Sequence, residues 1–196
     1  MNKKIILASG SPRRSEILSN IGIEFTIVKS CADESSISPE GIPVDMYVQE
    51  LALLKATEVY SRVAAKDALI IGADTVVSID GDILGKPKDD EDAFRMLKSL
   101  SGKTHQVYTG YCVVNTNDGY SVCGAQCTEV TFAQLTDDDI HEYVHTGETS
   151  DKAGSYAIQG KGVMLVEKIN GDYFNVVGLP VRSLVELMKK EFGFEF

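Results

Sequence analysis

The chain has 196 residues, 43% hydrophobic and 24% charged, with a formal net charge of −10. That length buries a sizeable core, so one domain, or one domain with two lobes, is expected. The acidic balance excludes a protein that coats nucleic acid, which needs a basic surface, while leaving room for a small basic pocket. No apolar run approaches the roughly 20 residues of a membrane span. Lys3 and Lys4 precede too short an apolar run for a signal peptide, so the cytoplasm is the expected location. Cys31, Cys112, Cys123 and Cys127 form no paired CxxC motif and read as reduced thiols.

The pattern opens with a strand at 4–8 and a helix at 12–21, with Ser11 at the N-cap position and Pro12 in the first turn. EFTIV gives a strand near 25–29, and the polar stretch 30–42 is a loop. Pro43 opens a helix to about Ala65, whose apolar stripe carries Lys55 as an intruder. ALIIGADTVVSI, 68–79, reads as a strand buried on both faces. Asp80-Gly81 turns the chain, and Asp89 or Asp90 caps a helix through Leu100. Two long β-rich runs follow around Asn117-Asp118-Gly119. Thr136 and Asp139 form a capping box for a helix to about Thr146. A glycine-rich segment leads into a strand, and Pro180 opens the last helix. Early alternation plus a central hairpin predicts an α/β domain with a mixed sheet.

The residues that could carry chemistry stand out against this frame. SGSPRR puts Arg13 and Arg14 in the first turn of a helix, where cations typically cost about 0.3–1 kcal/mol. They are either solvated surface groups or ligands of a dense anion such as phosphate, held with the free N–H groups of the helix start. Asp74 interrupts the most apolar strand, a costly position unless the carboxylate is paired, metal-bound or facing a cleft. The turn at 80–82 could return Lys86 beside it. Lys55 reads alone as a snorkelling stem and Glu34 as a solvated loop acid. Gln159 lies in a glycine-rich loop and offers an amide able to match the edge of a base. His141 and His145 have helical spacing without the other ligands of a zinc site.

Taken together, SGSPRR, the loop Glu34, ALLKA, GADTVV, LGKP, SGKTHQVYTG and DKAGSYAIQG followed by NVVGLP resemble the Maf family of nucleoside triphosphate pyrophosphatases. The motifs keep the family's order from residue 5 to about 185. The resemblance implies an elongated, two-lobed α/β fold with a central mixed sheet, an active cleft between the lobes, and often a homodimer. It implies hydrolysis between the α- and β-phosphates with a divalent metal, Mg²⁺ or Mn²⁺. Ser9, Arg13 and Arg14 would hold the triphosphate, Lys55 and Lys86 would neutralise it, and Asp74 would accept the water's proton. Glu34 would join Asp74 near the metal. Arg13, Thr75 and Gln159 match the branch acting on dTTP and UTP. A purine- or 7-methyl-GTP-directed enzyme, and a non-catalytic nucleotide-binding regulator of septum formation, are the alternatives. The expected partner is the nucleotide alone, with neither nucleic acid nor membrane.

Overall fold

The computed structural model describes residues 3–195. Among the described residues seven strands form one mixed sheet in the order β2-β1-β3-β5-β6-β7, with β4 paired to β3. These are β1 (Lys4–Leu7), β2 (Phe25–Ile27), β3 (Ala68–Ile79), β4 (Asp82–Leu84), β5 (Thr104–Asn115), β6 (Ser121–Phe132) and β7 (Val166–Asn170). The helices are α1 (Pro12–Asn20), α2 (Val44–Arg62), α3 (Asp90–Leu100), α4 (Asp137–Val144), α5 (Tyr173–Val177) and α6 (Val181–Phe192). β1 runs parallel to both β2 and β3, while β3–β4 and β6–β7 are antiparallel. Among the described residues no helix is long and apolar enough to cross a membrane.

The chain divides into two compact units. One holds residues 3–74, 109–126 and 178–195; the other holds Thr75–Tyr108 and Cys127–Val177. In the first, Ile6, Ala8, Ala56, Val59, Ala68, Ile70 and Val114 pack into one buried cluster. α2 lies directly on the sheet because two strand positions have no side chain. A Cβ at Gly72 would stand 2.2 Å from the Ala52 carbonyl oxygen, and one at Gly110 would stand 2.1 Å from that of Val48. Val48, Ala52 and Ala56 recur at four-residue spacing, so a single helix face meets β3 and β5. Gly72 and Asp74 share one face of β3 by the period of two, which turns Asp74 toward the helix carrying Lys55.

The second unit is built around Val77, Leu97, Val107, Phe132, Ile140, Tyr143 and Tyr156. α3 starts where Asp89 accepts the Asp92 N–H, and α4 has the full capping box of Thr136 and Asp139. Inside lies His105, wholly buried, its Nε2 2.7 Å from the Tyr156 hydroxyl and its ring edge-on to Phe132. Nδ1 has no hydrogen-bond partner among the described residues. Burial pushes this imidazole down to about 4, so it is neutral at physiological pH.

Three expectations are corrected. Ser11 occupies the N-cap position of α1 but makes no side-chain cap; its own N–H donates to Ser9 Oγ at 3.2 Å. α2 ends at Arg62 rather than Ala65, because Val63 takes extended dihedrals, φ −92° and ψ 133°, which its branched side chain favours. Cys112 and Cys123 are joined as a disulfide, with Cα atoms 4.0 Å apart, although the sequence pattern reads as reduced thiols. They stand on neighbouring strands β5 and β6, and a pairing set by strand register leaves no motif in the sequence.

Two outcomes test this packing. Gly72→Ala should lose about 1–3 kcal/mol in urea unfolding, because the new methyl must push α2 off β3; an unchanged midpoint contradicts the close approach. Unfolded His105 takes up a proton near its ordinary value of 6.5, whereas the folded side chain does so only near 4. Stability should therefore fall as pH falls from 6.5 toward 4, by up to about 3 kcal/mol from this residue. His105→Gln should flatten the pH slope of stability in that window, and an unaltered slope contradicts a buried neutral imidazole.

Candidate active site

The SGSPRR turn puts two cations and no acid in the first turn of α1. The structure separates their surroundings. Arg13 is half-buried, whereas Arg14 is only 9% exposed. Arg14 Nε donates to the Gly178 carbonyl at 2.7 Å, and its Nη1 donates to the Ala73 carbonyl at 2.9 Å and to Ser9 Oγ at 3.1 Å. Three N–H bonds of the guanidinium fork are thus used to join the first loop, the middle of β3 and the approach to α6. Burial lowers the pKa of this group, Asp74 opposes that shift, and Arg13 adds to it. Arg14 is therefore held by backbone as much as by charge, which the sequence alone did not reveal.

Asp74 stands next on β3 and is 9% exposed. Its Oδ1 accepts from Lys55 Nζ at 2.5 Å, and the same ammonium lies 3.0 Å from Glu34 Oε1. The Lys55 side chain is 12% exposed, so it is no snorkelling stem: it ends inside, between two carboxylates. Glu34 arrives on a 3₁₀ turn, Glu34–Ser36, capped by Asp33, whose carboxylate accepts the Ser35 N–H at 3.0 Å. The preceding residues are tied to α2. Glu58 accepts the Cys31 N–H at 3.0 Å and pairs with Arg62, and those contacts, the arginine first, hold its carboxyl down at about 2.

Tyr47 belongs to this neighbourhood and carried no sequence signal beyond its place on α2. Its phenol is raised above the ordinary value by burial first, then by the negative charge of Asp74 and Glu34. The helical period was the available clue: Tyr47, Leu51 and Lys55 follow one another at four-residue steps.

The remaining sequence-selected residues lie in the second unit. Thr75 follows Asp74 on β3 and is half-buried. The β3–β4 register, Val77 opposite Leu84, sends the exposed Lys86 back along β3 in the direction of Thr75. Gln159 is half-buried and sits just before Gly160, whose φ of +67° only glycine adopts without strain. Its loop is fixed from beneath: the Ala157 N–H donates to the Tyr143 hydroxyl at 3.1 Å, and Tyr156 is held by His105.

No group of three or more His, Cys, Asp or Glu side chains able to hold a metal occurs among the described residues. Asp74 and Glu34 nevertheless converge on one point, the Lys55 ammonium. A pair of carboxylates suits Mg²⁺, which commonly takes one or two protein carboxylates and completes its shell with water and substrate phosphates. The donor set fits such an ion only with a phosphate-bearing ligand present.

The chain is similar to known proteins over nearly its whole length. A family model described as "Maf-like protein" matches residues 4–191. A protein of Thermococcus kodakarensis named dTTP/UTP pyrophosphatase is 52% identical over 191 residues, covering 97% of each chain. One of the same name from a Thermoanaerobacter species is 49% identical over 189 residues, covering 96% of this chain and 97% of that one. A solved Ham1 protein of Staphylococcus aureus aligns over 67% of this chain and 72% of that one, at 14% identity and a TM-score of 0.48, a likeness too slight to argue from. The full-length match of the model and the near-complete cover of relatives at about 50% identity settle the grouping: the chain belongs to the Maf-like family.

Proposed function

We propose that the chain is a nucleotide-pool housecleaning enzyme that hydrolyses dTTP and UTP to the nucleoside monophosphate and pyrophosphate. The observation that carries this reading is the 52% identity, across 97% of both chains, to a relative named dTTP/UTP pyrophosphatase. The geometry of the first unit supports it. An acidic chain of net charge −10 concentrates Arg14 and Lys55 about Asp74, with Arg13 beside Arg14, the setting a polyphosphate needs. Such an enzyme acts where free nucleotides are, in the cytoplasm.

In the proposed reaction a water oxygen adds to the α-phosphorus and the bond from that phosphorus to the bridging oxygen breaks. Pyrophosphate leaves with the bond's electrons, and Asp74 takes the proton that the water gives up. Lys55 donates to Asp74 and pairs with Glu34, so it aims the base and can meet a phosphate oxygen with a further N–H. Glu34 and Asp74 would hold a divalent cation. When bound, that ion neutralises charge on the phosphate oxygens. Arg13 binds the triphosphate as a forked donor; Arg14, held by the Gly178 and Ala73 carbonyls, supplies fixed positive charge that need not reorganise. Thr75 and Gln159 read the base, the glutamine amide matching the carbonyl and N3–H edge of a pyrimidine, and Lys86 takes phosphate charge.

Asp74→Asn should reduce kcat for dTTP by about 10²–10⁴-fold, the usual contribution of a general base, while nucleotide affinity stays within a few-fold. Turnover equal to wild type would remove Asp74 from that role. Gln159→Glu should lower kcat/KM for dTTP and UTP by about tenfold or more with no change in unfolding midpoint, since a carboxylate cannot donate to the pyrimidine carbonyl. An unchanged nucleotide preference would remove Gln159 from base reading.

A further inference from the structure

A side-chain amide reads the edge of a base only when its backbone is held within about 0.5 Å of the productive place. Gln159 stands on a loop, so something must fix that loop. Glu148, which follows the C-terminal end of α4, is placed to do so. Its N–H donates to Thr146 Oγ1 at 3.1 Å, and that hydroxyl donates to the Tyr143 carbonyl at 2.7 Å. Glu148 is thereby tied to the last turn of α4, which Ile140, Tyr143 and Val144 bury in the core.

The half-buried Glu148 side chain lies against the turn that follows Gln159. A Cβ at Gly160 would stand 2.9 Å from Glu148 Oε1 and 3.0 Å from Oε2, so the carboxylate takes the space of a side chain at that position. Oε1 also accepts the Lys161 N–H at 3.4 Å. On the other side of Gln159 the Ala157 N–H donates to the Tyr143 hydroxyl at 3.1 Å. Ala157 precedes Gln159 by two residues, and Lys161 follows it by two. The loop also closes on itself. A Cβ at Gly162 would stand 2.0 Å from the Ala157 carbonyl oxygen and 2.9 Å from the Tyr143 hydroxyl. Two groups from one short stretch, the Tyr143 hydroxyl and the Glu148 carboxylate, thus grip the backbone on either side of Gln159. Gly160 and Lys161 are exposed, so the Glu148 contact adds little to the core. What it fixes is the path of the chain.

We propose that Glu148 is a positioning residue for recognition of the base: its carboxylate, seated against Gly160 and accepting the Lys161 N–H, fixes the turn on which Gln159 meets the nucleotide. The assignment rests on the pyrimidine-reading role given above to Gln159. Reach matters here more than charge. A side chain of the same length with an acceptor oxygen keeps the contact, and a shorter carboxylate does not.

Calorimetric titration of dTMP into the full chain and its variants reads this directly. Inorganic pyrophosphate with Mg²⁺ is the base-free control, and circular dichroism verifies folding. Glu148→Ala should weaken dTMP binding about five- to tenfold, the loss of one well-placed hydrogen bond at the base, while pyrophosphate binding stays within about twofold. KM for dTTP should rise in parallel. Glu148→Gln should bind dTMP within about twofold of wild type, since its amide oxygen can accept the same N–H. Glu148→Asp, one methylene shorter, should lose as much as Glu148→Ala, and it provides the test even where the alanine variant does not fold. In a Gln159→Ala background, Glu148→Ala should bring no further loss beyond about twofold, because nothing is left to position. Unaltered dTMP binding in Glu148→Ala and Glu148→Asp overturns the proposal, as does equal weakening of dTMP and pyrophosphate. Additive losses in the double variant, or a Glu148→Gln as weak as Glu148→Ala, overturn it as well. Calorimetry needs no turnover, so a protein that shows these effects with dTMP but releases no pyrophosphate from dTTP counts against the reaction and not against Glu148.

Discussion

A guanidinium that is 9% exposed must have its donors satisfied, and Arg14 meets that demand with groups that are far apart in sequence: Ser9, Ala73 and Gly178. A buried charge left without such partners would cost several kcal/mol. The first loop, the centre of β3 and the entry to α6 therefore have to arrive together for the first unit to close. Asp74 follows Ala73 directly, so the carbonyl that Arg14 holds also sets where the next carboxylate stands. The unfavourable pair of arginines at a helix start is then intelligible. One of them is a structural clamp that leaves positive charge at the site, and the helix gives up some stability for it.

The second constraint is backbone contact. With no side chain at Gly72 and Gly110, α2 rests on β3 and β5, and that distance lets the Lys55 ammonium end 2.5 Å from Asp74. A lysine on an apolar stripe is thereby neither solvated nor unpaired. It joins a strand carboxylate and a loop carboxylate, Glu34, and brings to one point groups that a polyphosphate and a divalent ion would both require. The second unit uses the same economy differently: its neutral buried His105 braces Tyr156, and Tyr143 braces Ala157, so that the loop carrying Gln159 is held from within the core.

Much of this was legible in the sequence because local patterns record it. The apolar run 68–79 is β3 to the residue, Thr136 and Asp139 make the capping box they spell, and the helix opened by Pro180 runs Val181–Phe192. The pairing of Asp74 with Lys55 is one of the outcomes open to a carboxylate in a buried strand, which has to be paired, metal-bound or facing a cleft. What escaped was non-local or too short to have a period. Arg14 and Gly178 are 164 residues apart, the Cys112–Cys123 pairing depends on strand register, and α5 is a helix of only five residues. His105 carries no local sequence signal because its meaning lies in Tyr156 and Phe132, neither near it in the chain.

The central claim is that these groups direct cleavage between the α- and β-phosphates of a pyrimidine nucleotide. The most direct measurement follows pyrophosphate and orthophosphate in parallel, with Mg²⁺ or Mn²⁺, from separate dTTP, UTP, CTP, GTP, ITP and 7-methyl-GTP. The account predicts one pyrophosphate per monophosphate formed, fastest from dTTP and UTP, with no orthophosphate. Orthophosphate as the product, or binding of all six nucleotides without turnover, would contradict it.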